Sequence, residues 1–243
     1  MIKAESVLTI PGPNDPWHTG SMVGFDLETT GRNPHEARIV TASIVLMDPD
    51  GHMRTSAEWL LNPEVDIPPE AAAVHGISTE YAREHGMDAA QGLNEIVATL
   101  SDFMHHRVPI IAYNGVYDFT VLTAELARRD ANEFPVVGVV DPYVLDKYAD
   151  TYRKGKRTLE AACQHYGVLL DNAHTSQADS IAAVQVCQAM VAKFPGKFDV
   201  SLEELFDHQI RWKSDQSASF EQYLRRKNPE ATVPREWPVE KRS

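Results

Sequence analysis

The sequence predicts an α/β fold: a mixed sheet of an antiparallel meander plus parallel strands, flanked by helices and followed by a C-terminal helical extension. Three observations predict it. Three β-rich runs succeed one another with turn punctuation between residues 21 and 61. Two short apolar runs, 108–113 and 136–140, then alternate with helical sequence, the pattern of parallel strands joined by helical crossovers. A long helical periodicity behind a capping pattern covers 199–226.

Residues 1–20 are a lead-in punctuated by Pro11, Gly12, Pro13 and Pro16. The first strand spans 21–28. The β-branched run 38–47 gives the second strand, Asp50-Gly51 a hairpin turn, and 53–61 a third, antiparallel strand. A short helix from Glu70 stops at Gly76, and Ser78 caps a new turn. Leu93, Ile96, Val97, Leu100 and Phe103 mark an amphipathic helix over 88–106. A helix bearing Phe119, Leu122 and Leu126 follows the run 108–113. After the run 136–140 comes a basic turn at 153–157, a helix capped by Thr158, and a helix over 176–194 stopped by Pro195-Gly196. These elements predict a catalytic domain over 21–194, a helix over 199–226 whose aromatic stripe packs on that domain, and a flexible tail over 227–243.

The chain has 243 residues, 43% hydrophobic and 24% charged, enough for one full core with an appendage. Its net charge of −12 argues against a protein that coats nucleic acid through a broad basic surface. It does not exclude an enzyme that grips a short piece through metals and local cations. Cys163 and Cys187 lack zinc-site spacing and read as reduced core residues. There is no membrane-length apolar segment and no apolar leader. The expectation is a soluble cytoplasmic protein.

The first strand carries the chemistry. Val23, Phe25 and Leu27 alternate with Gly24, Asp26 and Glu28, so a half-buried strand places two carboxylates side by side, roughly 6–7 Å apart. Like charges that close ionise together only with a cation between them, and a hard divalent ion suits oxygen ligands. Asp118 opens the helix after the run 108–113, where α/β ligands collect; alone it reads as a first-turn acid. Asp179 shares a face with Ala182, Ala183 and Val186 on a helix apolar nearly all round. A salt bridge or a polar stripe would account for it singly; three further acids favour a metal site. His174 precedes that helix with the unperturbed pKa of a general base.

Three segments together carry a resemblance. Asp26-Leu27-Glu28-Thr29-Thr30-Gly31, Tyr113-Asn114-Gly115-Val116-Tyr117-Asp118 and His174-Thr175-Ser176-Gln177-Ala178-Asp179 resemble, in order, the three motifs of the DEDDh, or DnaQ-like, 3′–5′ exonucleases. That group includes the proofreading epsilon subunit of bacterial DNA polymerase III. The segment from Ile67-Pro68 to Ile77-Ser78 is also similar to the family, and the likeness runs over 21–194. Tyr117 stands where the family often has Phe, and Ser176 where Ala is common. The resemblance implies an RNase H-like fold and hydrolysis with two Mg2+ or Mn2+ ions. It implies that Asp26 bridges both ions, Glu28 and Asp118 bind the one near the leaving oxygen, and Asp179 binds the one near the attacking water. His174 then takes the water's proton. Thr29, Thr30 and Gly31 would lie near the terminal nucleotide. Asn114 and His75 either support the site or cap local structure, with capping favoured for His75.

A polyanion also needs local cations, and Lys156 and Arg157 in the basic turn are the candidates between the second and third motifs. The implied partner is a nucleic-acid 3′ end, with single-stranded DNA favoured, and a DNA polymerase is a further candidate. RNA trimming by the same chemistry and a non-catalytic binding module are the alternatives. Gln216-Ser217-Ala218-Ser219-Phe220 resembles a sliding-clamp peptide only faintly, without its Leu residues, and reads as part of a helix.

Overall fold

The meander forms as three antiparallel strands, β1 (Met22–Thr29), β2 (Ile39–Met47) and β3 (Met53–Leu60). The computed structural model describes residues 8–170 and 175–242. Gly51 sits at φ 85° in the turn between β2 and β3, a conformation costly for residues with a Cβ. On the other side of β1, β4 (Ile110–Ile111) and β5 (Val139–Val140) add in parallel, giving the order β3-β2-β1-β4-β5. Both parallel strands are shorter than the runs 108–113 and 136–140 that predict them. Pro109 has no N–H to offer a ladder, and Gly138 takes a φ of 66°.

The eight α-helices among the described residues are α1 (Pro69–His75), α2 (Thr79–His85), α3 (Ala89–His105), α4 (Val116–Arg128), α5 (Pro142–Ala149), α6 (Leu159–Tyr166), α7 (Ser176–Lys193) and α8 (Leu202–Arg225). Their ends follow local chemistry. Gly76 closes α1 in the left-handed region, Ser78 accepts the Tyr81 N–H, Thr158 accepts the Ala161 N–H, and Ser201 with Glu204 forms a reciprocal capping box. None of these helices is long and apolar enough to cross a membrane.

Helices cover the sheet on two faces. Val23, Phe25 and Leu27 pack with Leu93, Ile96 and Phe103 of α3 and Phe119 and Leu122 of α4. Met22, Val45 and Met47 pack with Ala182, Ala183 and Val186 of α7. Cys163 and Cys187 are free and buried in that second core. The expectation of a half-buried first strand is therefore corrected: β1 is central and covered on both sides. Gly24 makes the second cover possible. A Cβ at this position would lie 2.4 Å from the Ser180 carbonyl oxygen and 3.1 Å from a Val184 methyl. The α7 backbone thus rests almost on β1, one residue from Asp179. Gly24→Ala is expected to push the helix outward, destabilising the fold by roughly 1–3 kcal/mol and lowering metal affinity. Thermal melts and a metal titration check both.

The tail and the last helix also depart from expectation. Trp237 is buried against Phe206 of α8, the Val233 N–H donates to Glu221, and the Glu240 N–H donates to Thr120 of α4. The predicted flexible tail is a docked strap, because its one tryptophan has apolar surface to cover. Conversely, the aromatic stripe of α8 packs only in its first half. Leu205 and Gln209 are fully buried, whereas Phe220 and Tyr223 are 48% and 55% exposed. The clamp-like segment lies inside α8, with the Gln216 side chain donating to the Val144 carbonyl.

Candidate active site

The acids gather where the parallel strands end. β4 pairs with β1 only at Val23 and Gly24, so β1 runs on past it, carrying Asp26 and Glu28 beyond the sheet's parallel half. A register shift between Glu28 and Thr29 then turns the strand away. From the end of β4 the chain enters α4, and Asp118 in its first turn accepts the Leu27 N–H at 3.1 Å. That bond ties the second segment to the first. From above, α7 delivers Asp179 in its own first turn. One carboxylate oxygen from each of Asp26, Glu28 and Asp179 falls within 4.8 Å of the others. His174 lies outside the described residues; Thr175, next to it, caps α7 by accepting the Ala178 N–H.

Electrostatics show what the cluster lacks. Burial lifts Asp26 well above the usual carboxylate range, and the charges of Asp118, Asp179 and Glu28 lift it further. Glu28 is pushed up to about 7, by burial first and by Asp179 second. Asp118 is raised by burial, against the opposing hydrogen bond from Leu27. No ion pair among the described residues engages Asp26, Glu28 or Asp118. Asp26, Glu28 and Asp118, oxygen donors with excess negative charge and no ion pair among the described residues, fit a hard divalent ion.

The neighbouring turn is internally bonded. The Thr29 hydroxyl meets both the Gly31 carbonyl and the Tyr117 hydroxyl, and Tyr117 also donates to the Gly31 carbonyl. Thr30 accepts the Arg38 N–H at 2.9 Å. Asn114 holds a φ of 56°, its N–H donating to Asp141, and its side chain is exposed beside the site. His75 accepts the Ile77 N–H through Nδ1 and also meets the Thr29 backbone, so it both caps its own turn and touches the turn beside the acids.

Arg157 requires a correction. Its guanidinium faces inward to Asp146, which is fully buried and also pairs with Arg153 at 2.8 Å and with the Tyr166 hydroxyl at 2.6 Å. The charge predicted to grip phosphate is committed to a buried carboxylate, and only Lys156 of that pair is exposed. Arg157→Ala is expected to destabilise the protein by about 2–3 kcal/mol, less than the usual cost of breaking a buried pair because Arg153 stays. Chemical denaturation measures it.

A model of the RNase_T exonuclease domain matches residues 23–187, more than half of the chain. The chain belongs to the RNase_T exonuclease family. Among this RNase_T chain's relatives is a DNA polymerase III subunit epsilon of Rickettsia conorii, 26% identical over 148 residues, covering 59% of this chain and 61% of that protein. Another, from Treponema pallidum, is 26% identical over 174 residues, covering 71% and 77%. In fold, the chain resembles an exonuclease I structure with a TM-score of 0.63 at 18% identity, over 83% of this chain and 45% of the other. It likewise resembles E. coli exonuclease I in complex with a dT13 oligonucleotide, with a TM-score of 0.60 at 20% identity, over 77% and 43%. The chain thus spans about three fifths of the length of the Rickettsia relative and less than half of exonuclease I. These likenesses bear out the RNase H-like mixed sheet.

Within this RNase_T domain the sequence reading missed Asp141. It is 1% exposed at the end of β5, accepts the N–H groups of Asn114 and Tyr143 at 2.8 and 2.9 Å, and meets the Trp237 indole. Burial pushes its carboxyl up to about 6, and its charge raises Asp118. Asp-Pro after an apolar run signals a helix cap, which Asp141 is. Nothing local signals that the same carboxylate fixes the loop in front of Asp118.

Proposed function

We propose that this chain is a metal-dependent 3′–5′ exonuclease that shortens single-stranded DNA from its 3′ end, releasing nucleoside 5′-monophosphates. The observation that carries this is the cluster of Asp26, Glu28 and Asp179 within 4.8 Å, beside Asp118, on the central strand of an RNase_T domain. Residues 21–194 form the catalytic unit. Asp26, Glu28, Asp118 and Asp179 would hold two divalent ions, Mg2+ or Mn2+, with Asp26 shared between them. When bound, such ions neutralise the scissile phosphate and acidify water. His174 takes the proton from the attacking water. Water's oxygen bonds to phosphorus, the bond to the 3′ oxygen breaks, that oxygen takes up a proton from solvent, and the shortened strand keeps a 3′ hydroxyl. Thr29, Thr30 and Gly31 support the terminal nucleotide, and the α4 entry with Asn114 flanks it. The turn's internal bonds with Tyr117 favour a rigid seat.

DNA is favoured over RNA because relatives are named as DNA polymerase subunits and a structural neighbour is complexed with dT13. A replicative polymerase is the corresponding protein partner, and the cytoplasm the corresponding compartment. The test uses 5′-labelled single-stranded DNA and RNA with Mg2+, Mn2+ or EDTA. A ladder shortening from the 3′ end, abolished by EDTA and by Asp179→Ala, supports the reading. Intact substrate in every metal overturns it.

A further inference from the structure

The face between α5 and α8 has no part in the proposed chemistry. It forms a groove of about 640 Å³ whose lining includes Lys147, Tyr148, Trp212, Phe220 and Tyr223. Its aromatic content is high and partly open to solvent. Tyr148 and Trp212 stack with ring centroids 3.7 Å apart, while Phe220 and Tyr223 stand 48% and 55% exposed with their planes within 13° of parallel. Exposed rings this large on a docked helix leave apolar surface without cover.

Lys147 lines the groove and reaches over the Tyr143 ring, its ammonium pKa lowered by burial first and by nearby Lys213 second, and Arg226, just outside the lining, reaches over the Tyr223 ring. None of the three has an ion-pair partner among the described residues, on a chain of net charge −12. Asp215 is the acid in the lining, and Arg157 there is already paired with Asp146. The groove is also joined to the catalytic edge. Tyr113, next to Asn114, packs its ring 6.1 Å from Tyr143, and its hydroxyl donates to the Arg157 carbonyl. Open π-faces interleaved with unpaired cations are the chemistry of a single-strand platform, where bases stack and phosphates are neutralised.

We infer that the α5–α8 groove binds single-stranded nucleic acid away from the acids, holding the strand several nucleotides from its 3′ end. The inference deepens the exonuclease reading but is tested without hydrolysis. EDTA removes any metal-mediated grip on the terminal phosphate, so the groove's share of binding is read by anisotropy of a 5′-fluorescein dT20 on the full chain. The Phe220→Ala/Tyr223→Ala variant is expected to lose at least about tenfold in dT20 affinity, and Lys147→Ala/Lys213→Ala to flatten the salt dependence. Phe220→Trp/Tyr223→Trp is expected to restore binding, which separates stacking from folding. With Mn2+, cleavage of a dinucleotide stays at the wild-type rate in the Ala variant, while trimming of dT20 slows. Unchanged dT20 affinity in the Ala variant overturns the inference and assigns the rings to a protein partner. Groove-dependent binding by a chain that cleaves nothing upholds the inference and sinks the exonuclease reading.

Discussion

Asp26→Asn is expected to abolish hydrolysis, by at least about 10³-fold, while raising the melting temperature of the metal-free protein. The two effects have one cause. Asp26 is buried among Asp118, Asp179 and Glu28, and its carboxyl is held well above the usual range by burial and by those charges. The unfolded chain carries the ionised group freely at neutral pH. Folding without metal must either bury the charge or take up a proton, and both cost stability. Asn keeps the volume and removes that cost, so the gain in EDTA at pH 7.5 is on the order of 5 °C. In the proposed reaction, however, Asn cannot neutralise two ions. A variant that is inactive because it is misfolded would melt lower, so the sign of the shift separates the explanations. A lower melting temperature would mean that Asp26 serves the fold rather than the chemistry.

The second large effect is in pH. Glu28 has its carboxyl raised from 4.5 to about 7, so between these values the native state keeps a proton the unfolded chain has lost. Native-state stability without metal is therefore fully supported below about pH 4.5 and falls as pH rises to 7, flattening above it. Glu28 contributes about 2–3 kcal/mol to that slope, and Asp26 and Asp118 shift in the same direction. His75 opposes it, because burial depresses its pKa and favours the native state at higher pH. In EDTA the melting temperature is expected to fall by roughly 5–10 °C from pH 5 to pH 8. Saturating Mn2+ replaces the protons and levels the profile, so metal stabilises more at pH 8 than at pH 5. Glu28→Gln should remove its share of the EDTA slope. An EDTA profile that rises over this window would show that these acids have found protein cations instead.

What the sequence made legible was local. Ser78, Thr158 and the Ser201/Glu204 box set helix starts through atoms within three residues of one another, so their types suffice. Asp26 and Glu28 were readable because alternation alone puts them on one side of a strand. The unreadable features depend on partners far along the chain. Arg157 looked like a surface cation because Asp146, eleven residues earlier, reads as an ordinary helix acid until it is buried. Trp237 lies in a polar, proline-containing tail, and its place is set by Phe206 of α8 and the Asp141 carboxylate, both far along the chain. Asp141 carries a cap signature that conceals its hold on the Asn114 loop. Gly24 reads as a weak strand residue, yet its missing side chain is what lets α7 bring Asp179 to Asp26.

The most direct measurement is anomalous diffraction from crystals soaked in Mn2+. Two peaks are expected among Asp26, Glu28, Asp118 and Asp179, with Asp26 touching both ions. A second acid cluster, Asp48, Asp50 and His52 at the turn after β2, is an internal control, since Arg54 already pairs with Asp48 at 2.5 Å. Manganese at that turn and none at the end of β1 would contradict the account.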